Sequence, residues 1–195
     1  AEGTTYVNFL MAGILIQTVA FGATITAINL AADLQRGFVD RLRSLPIFAP
    51  GLIIGHIVAD TVRNLLSAAV MLGIGYLVGF RPTADLKEWI LVTLLIIVFS
   101  MAISSLSSIL GLLAKSVEAV QWMTFLIIFP LTFVSSAFVP TSTMPSALRL
   151  FADNQPITQV IGAIRAWLVG TPIGDYGWKS FLWCFILIAI SIPIT

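Results

Sequence analysis

An all-α integral membrane protein, a single bundle of apolar helices, is the fold class this sequence predicts, and three observations predict it. Long uncharged runs cover residues 6–32, 64–80, 89–114 and 119–139, followed by a further run over 180–195. A helix needs about 20 mainly apolar residues to cross a bilayer, so each of the first four approaches or exceeds one crossing. Nearly all charge lies between the runs, and a composition of 58% hydrophobic and 10% charged residues supplies too little polar surface for a soluble domain of 195 residues. None of the runs has the strict alternation of a membrane β-strand, and backbone groups in lipid must be satisfied within the segment, which leaves helices.

The first element, 6–32, carries the amides Gln17 and Asn29 within an otherwise apolar span. It is followed by LQRGFVDRLRSLP over 34–46, whose Arg36, Arg41 and Arg43, together with Lys115 in a later connection, give two alternate loops the denser positive charge. Positive-inside counting puts 33–46 and 115–118 in the cytoplasm. The first helix then runs from outside to inside, and because no basic signal region precedes it, a further helix before Ala1 is expected. Within 34–46, Phe38, Leu42 and Leu45 fall on one helical face, Arg36, Asp40 and Arg43 are spaced for charge pairs, and Pro46 ends the run. The pattern describes a short helix lying on the cytosolic surface, either a docking element or a solvated connector.

The second span is led by His56, Asp60 and Arg63, spaced so that they share a face. Charge within hydrocarbon costs roughly 2.5 to 3.5 kcal/mol on insertion scales. The helix therefore reads as beginning below the membrane, with only 64–80 in lipid and the trio near the cytoplasmic interface; a proton or substrate relay is the alternative. Pairs of small residues four apart, Gly51 and Gly55, Gly75 and Gly79, Ser104 and Ser108, suggest faces where helix backbones approach. The third span concentrates Ser100, Ser104, Ser105, Ser107 and Ser108, which suit backbone and interhelical hydrogen bonds as well as a polar path. Gln121 near the start of the fourth span is a single amide of the same kind.

Residues 140–177 form neither a span nor a plain linker. Pro145 and Pro156 suit the first turns of two short helices. In the second, Ile157, Val160, Ile161, Ile164 and Leu168 line one face while Gln159, Arg165 and the flanking Asn154 are polar, which predicts an amphipathic helix on the outer side, capping the bundle or gating a path through it.

The chemistry excluded by the sequence is broad. It holds no GxxxxGK phosphate loop, HExxH or GxSxG motif, its single His56 has no second imidazole, and Cys184 is alone within the last run, so neither a catalytic constellation nor a metal site is predicted. A net charge of +1 without cationic clusters offers nothing to nucleic acid.

The stretches RGFVDRLRSLPI over 36–47, Gly79-Phe80-Arg81-Pro82, FVPTSTM over 138–144, LRLFADNQPI over 148–157 and AIRAWLVG over 163–170 resemble the permease subunits of type-2 ATP-binding cassette exporters, above all the daunorubicin-resistance-type drug and lipid exporters. The resemblance covers nearly the whole chain. It implies a single permease domain over 1–195 holding the second to sixth of six membrane helices, with a cytoplasmic coupling segment at 34–46 and an extracellular helical segment at 140–177. It implies coupling to a separate ATPase through Arg36, Gly37, Phe38, Asp40, Arg41, Leu42 and Arg43, with ATP and magnesium bound by that partner and no covalent chemistry here. A second permease copy or homologue and a lipophilic substrate complete the expected assembly, in a prokaryotic cell (inner) membrane. Gln17, Asn29, Gln121, Phe125 and Phe129 are the expected walls of a substrate path. Two other functions stay open: a proton-coupled carrier using Asp60 and His56, and a membrane scaffold that transports nothing.

Overall fold

The computed structural model describes residues 2–36, 51–114, 116–191 and 193. Among them are seven α-helices: α1 (Glu2–Gln35), α2 (Gly51–Val78), α3 (Leu86–Leu113), α4 (Val117–Phe133), α5 (Ser146–Asn154), α6 (Pro156–Val169) and α7 (Tyr176–Ser191), with a 3-10 turn at Thr141–Thr143. No strand occurs among the described residues. By length and composition α1, α2 and α3 are long and apolar enough to cross a membrane, while α4, α6 and α7 are shorter apolar helices. The membrane helical class expected from the uncharged runs is the class observed.

Local chemistry sets the helix ends. Gly79, at φ 108°, ends α2 in a left-handed turn, with the Gly79 N–H donating to Tyr76 (3.4 Å) and the Phe80 N–H to Gly75 (2.8 Å), the paired bonds of a Schellman motif. The backbone N–H of Asp85 donates to the Glu88 carboxylate at 2.8 Å before α3, and Ser116 Oγ accepts the Ala119 N–H at 3.1 Å before α4. Pro156 occupies the first turn of α6, as expected, and Gly170, at φ 73°, terminates it.

α2 starts at Gly51, ahead of the uncharged run that begins at 64, and its charged and amide side chains find partners inside the bundle. One span has a bound other than the one expected. α4 stops at Phe133 instead of continuing to 139. Pro130 lacks an N–H for the helix ladder, and the turn that follows is held by the start of α6 and the residue before it: Gln155 Nε2 donates to the Val134 carbonyl at 2.5 Å, and the Ser136 N–H donates to Thr158 Oγ1 at 3.3 Å.

The bundle is built around α1 and α3. α1 packs against α2, α3, α4 and α6, and α3 additionally against α7. Small residues on α1, among them Ala12, Ala20, Ala23, Ala27 and Ala31, are buried and allow this crowding. A Cβ at Gly111 of α3 would meet the Ala27 carbonyl oxygen at 2.8 Å, and one at Gly13 would meet the backbone of Ala137. By contrast, a Cβ at Gly51 or Gly55 meets nothing within 4 Å, so the close approach expected there is not made among the described residues.

α2 is inverted relative to a helix of a soluble protein. Asp60, Thr61 and Asn64 are buried, whereas Ile54, Val58, Val62, Leu66, Val70, Ile74 and Leu77 form an exposed stripe at steps of three and four. Polar residues inside and aliphatic residues outside is the arrangement a hydrocarbon solvent selects.

Candidate functional site

Three groups of residues stand out among the described ones. The first joins α1, α2 and α3 through polar side chains. Asp60 and Arg63 form an ion pair, with the Asp60 side chain 3% exposed, and Arg63 Nη2 also donates to the Gly22 carbonyl at 3.3 Å. Asn64 Nδ2 donates to Ser100 Oγ at 2.7 Å, and Gly22 lacks the Cβ that would collide with the Asn64 amide. Thr26 Oγ1 reaches Ser104 Oγ at 3.5 Å. The contacts stand near the middle of all three helices, with Asp60 and Arg63 some ten residues inside α2. His56 does not join them: its Nε2 lies 3.0 Å from Asp33 Oδ2 at the end of α1. Of the serines, Ser105 and Ser108 donate back to the Met101 and Ser104 carbonyls, which is helix packing rather than an open polar path.

The second group is an apolar groove between α1 and α4. Its cavity of about 420 Å³ is lined by Thr24, Ile28, Gln121, Trp122 and Phe125. From Phe125 a ladder of rings continues through Phe129 and Phe133 to Phe138, with centroids 4.9, 4.3 and 5.4 Å apart. The ladder exists because phenylalanines recur every four residues on α4, beside the buried stripe of Val120, Thr124, Ile128 and Thr132. Of the expected path residues, Gln121 and Phe125 are brought together at the groove and Phe129 extends it. Gln17 is half-buried and Asn29 exposed, and neither lines the cavity. Trp122, Thr24 and Ile28 were not anticipated, although the Gln121-Trp122 pair at the head of an apolar span was a visible signal.

The third group lies at the end of the bundle where α1 begins. Here Arg81 N–H donates to Asn8 Oδ1 at 3.2 Å and Thr83 N–H to the Leu168 carbonyl at 2.9 Å, tying α1, the α2–α3 connection and α6 together. The predicted apolar face of α6 is buried, as Ile157, Val160, Ile161, Ile164 and Leu168 are each no more than 2% exposed. Gln159, expected on the polar side, is buried too, because α6 packs on α1, α3 and α7 rather than on one surface. Arg165 places its guanidinium 3.7 Å from the Phe9 ring centroid and donates to the carbonyls of Phe9 (3.2 and 3.3 Å) and Ser136 (2.8 Å). Burial pushes the Arg165 guanidinium down to about 10, still well above neutral pH, so the group is a partly buried cation.

Within the segment expected to couple to an ATPase, Arg36 closes α1 with its N–H donating to the Ala32 carbonyl at 3.1 Å. Gly37, Phe38, Asp40, Arg41, Leu42 and Arg43 lie outside the described residues. Among the described residues no group of three or more histidine, cysteine or acidic side chains could hold a metal ion.

Comparison with known proteins places these features in context. A family model described as ABC-2 type transporter matches residues 2–169. The chain is 30% identical over 166 residues to the daunorubicin resistance ABC transporter permease protein DrrB1 of Streptomyces coeruleorubidus, covering 85% of this chain and 59% of that protein. It is 28% identical over 167 residues to a probable doxorubicin resistance ABC transporter permease protein, DrrC, of Mycobacterium tuberculosis, covering 82% and 59%. Similarity at 20% identity over 171 residues extends to the inner membrane transport permease YadH of Escherichia coli, covering 87% and 65%. The chain thus spans 59% of the length of the first two relatives. No solved structure matches it.

Proposed function

This chain belongs to the ABC-2 type transporter permeases, and from that membership we propose that it is the membrane subunit of an ATP-driven exporter of lipophilic compounds, drugs, lipids or glycolipids. The observation that carries the substrate class is the α1–α4 groove with its phenylalanine ladder. A cavity of about 420 Å³ walled by Ile28, Trp122 and Phe125 suits an apolar guest, and Gln121 and Thr24 supply the few polar atoms that would orient it. The drug-resistance names of two relatives point in the same direction.

In this proposal α1, α2, α3, α4 and α7 are five of six membrane helices in a prokaryotic cell membrane, 34–46 is the cytoplasmic coupling segment and 140–177 the extracellular one. A separate ATPase binds ATP and magnesium. Its closure pushes the segment between α1 and α2, and a second permease copy or homologue completes the path along α1 and α4. For ATP to drive transport, the ATPase contact must differ between two bundle states, since a partner that bound both equally would shift nothing. The segment is attached at both ends to helices that reach the polar core, α1 through Gly22 and α2 through Arg63 and Asn64, which is a direct mechanical route.

The test is to express the permease with its ATP-binding subunit, reconstitute both in vesicles and follow ATP-dependent movement of a fluorescent lipophilic drug. The parent should export. Arg41→Ala should insert and fold yet export poorly, because a charge-assisted contact across the interface is worth about 1.5 to 3 kcal/mol. Phe38→Ala should also weaken copurification of the ATPase. Transport that follows a pH gradient without nucleotide would replace this reading by the proton-coupled carrier, and no transport with normal assembly would leave a scaffold.

A further inference from the structure

Among the described residues the cation Arg165 has no acidic counterpart. Its hydrogen bonds go to the backbone carbonyls of Phe9 and Ser136, Nη1 donates to no described residue, and no described carboxylate lies within ion-pair distance. In the neighbouring polar cavity the charges are balanced locally, Arg149 with Asp153 at 3.4 Å and Lys179 with Asp175 at 2.9 Å, where the Lys179 ammonium holds the Asp175 carboxyl below its usual range. Carbonyl partners reduce the cost of a buried guanidinium without neutralising it.

Arg165 faces a cavity of about 350 Å³ whose walls include Ser136, Thr141, Ser142, Thr171 and Tyr176. The Ser136 hydroxyl is itself an orphan: the residue is 8% exposed and its Oγ has no hydrogen-bond partner among the described residues. Gly162 shapes the same wall, since a Cβ there would meet the Tyr176 ring at 2.6 Å. A fixed cation with free N–H groups, an unpaired buried hydroxyl and further hydroxyls around one space form a cradle for an anion with several acceptor oxygens. Phe9, Pro140 and Pro172 give the cavity an apolar rim as well.

We infer that the Arg165 cavity is an anion site that takes a phosphate group, carried by a lipid headgroup or present as free phosphate. The free Nη1 N–H groups of the guanidinium donate to the phosphate oxygens, Ser136 donates its free hydroxyl, and the apolar rim accommodates the glycerol end of a headgroup. Placing this site on the outer leaflet rests on the proposed topology, whereas anion binding itself does not.

The experiment uses the full permease in phosphate-free maltoside micelles, titrated with dihexanoyl phosphatidylglycerol, with inorganic phosphate, and with dihexanoylglycerol as the phosphate-free control, binding being read by native mass spectrometry. The parent should bind phosphatidylglycerol and not dihexanoylglycerol. Arg165→Gln should lose affinity by about tenfold or more, the size of a charge-assisted contact, with Arg165→Lys between the two. Ser136→Ala should weaken binding by about threefold. Inorganic phosphate that competes at similar concentration identifies a free-phosphate site, and phosphate that fails to compete identifies a headgroup site. Parent-like binding by Arg165→Gln at an unchanged melting temperature would falsify the inference and leave Arg165 as a clamp between α1 and the α4–α5 turn, as would a parent that binds neither phosphate compound. If Arg165→Gln does not fold, Ser136→Ala and Thr141→Val decide, and unchanged binding in both overturns the site. ATP-driven export is measured separately on the parent, so a failure of the exporter reading is distinguishable from a failure of this one.

Discussion

His56 Nε2 lies 3.0 Å from Asp33 Oδ2, which fastens the last turns of α1 to the first turns of α2 across the chain that joins them. The two residues are 23 apart in sequence, and both are partly exposed. A tie at the roots of the connecting segment keeps its two ends at a fixed separation, which a push on that segment needs if it is to move the helices.

His56→Ala and Asp33→Asn should therefore leave the bundle folded, since one partly exposed hydrogen bond contributes about 1 kcal/mol, while reducing ATP-driven export. Melting temperature in detergent and vesicle transport are the paired measurements. Parent-like export by both variants would show that the tie has no part in coupling.

Asp60 and Arg63 should prove mutually dependent. Neutralising either alone leaves an unpaired charge among apolar helices, so each single variant, Asp60→Asn or Arg63→Gln, should destabilise more than half of what the double variant does, with a coupling of about 1 to 3 kcal/mol. A double-mutant cycle on folded yield measures it. Additive losses would mean that the pair contributes nothing as a pair.

Glycines at close approaches should be intolerant where their look-alikes are not. Gly111→Val drives a branched side chain into the Ala27 backbone, and Gly13→Val into that of Ala137, so each should cost about 1 to 3 kcal/mol by overpacking. Gly55→Ala, which meets nothing within 4 Å, should be neutral or gain up to about 1 kcal/mol of helix propensity. Thermal unfolding of the three variants ranks them. Loss of stability at Gly55 equal to that at Gly111 would place a second, intermolecular contact on α2.

Phe129→Ala should alter which compounds are moved while sparing stability, because Phe129 is 39% exposed and serves mainly to continue the stack from Phe125 to Phe133. The apparent affinity for a planar aromatic substrate should fall by about threefold to tenfold, the worth of one aromatic contact, with a smaller change for an aliphatic one. Equal losses for both substrates would separate the ladder from recognition.

The sequence by itself determined the solvent of this fold and its membrane helical class. Uncharged runs of membrane length and proline at the first turn of α6 are local signals, because hydrocarbon forbids unsatisfied backbone and a first-turn proline is settled within a few residues. Tertiary structure alone decided the partners. Asp60, Arg63 and His56 share a helical spacing that allowed either a common cluster or a relay, and the packing sent His56 to Asp33 while Asp60 kept Arg63. The partners of the charges that precede the uncharged run of α2 were not legible either: Arg63 donates to the Gly22 carbonyl and His56 meets Asp33, both on another helix, which no local pattern records. Small-residue spacing likewise nominated Gly51 and Gly55, whereas the close approaches fell at Gly13 and Gly111, since the rule describes what a face permits and only the neighbouring helix determines which face is used. Arg165 was legible as a polar residue on an amphipathic helix, but its environment, two carbonyls, a phenyl ring and an orphan hydroxyl, is assembled from three separate chain segments and exists only once they are folded together.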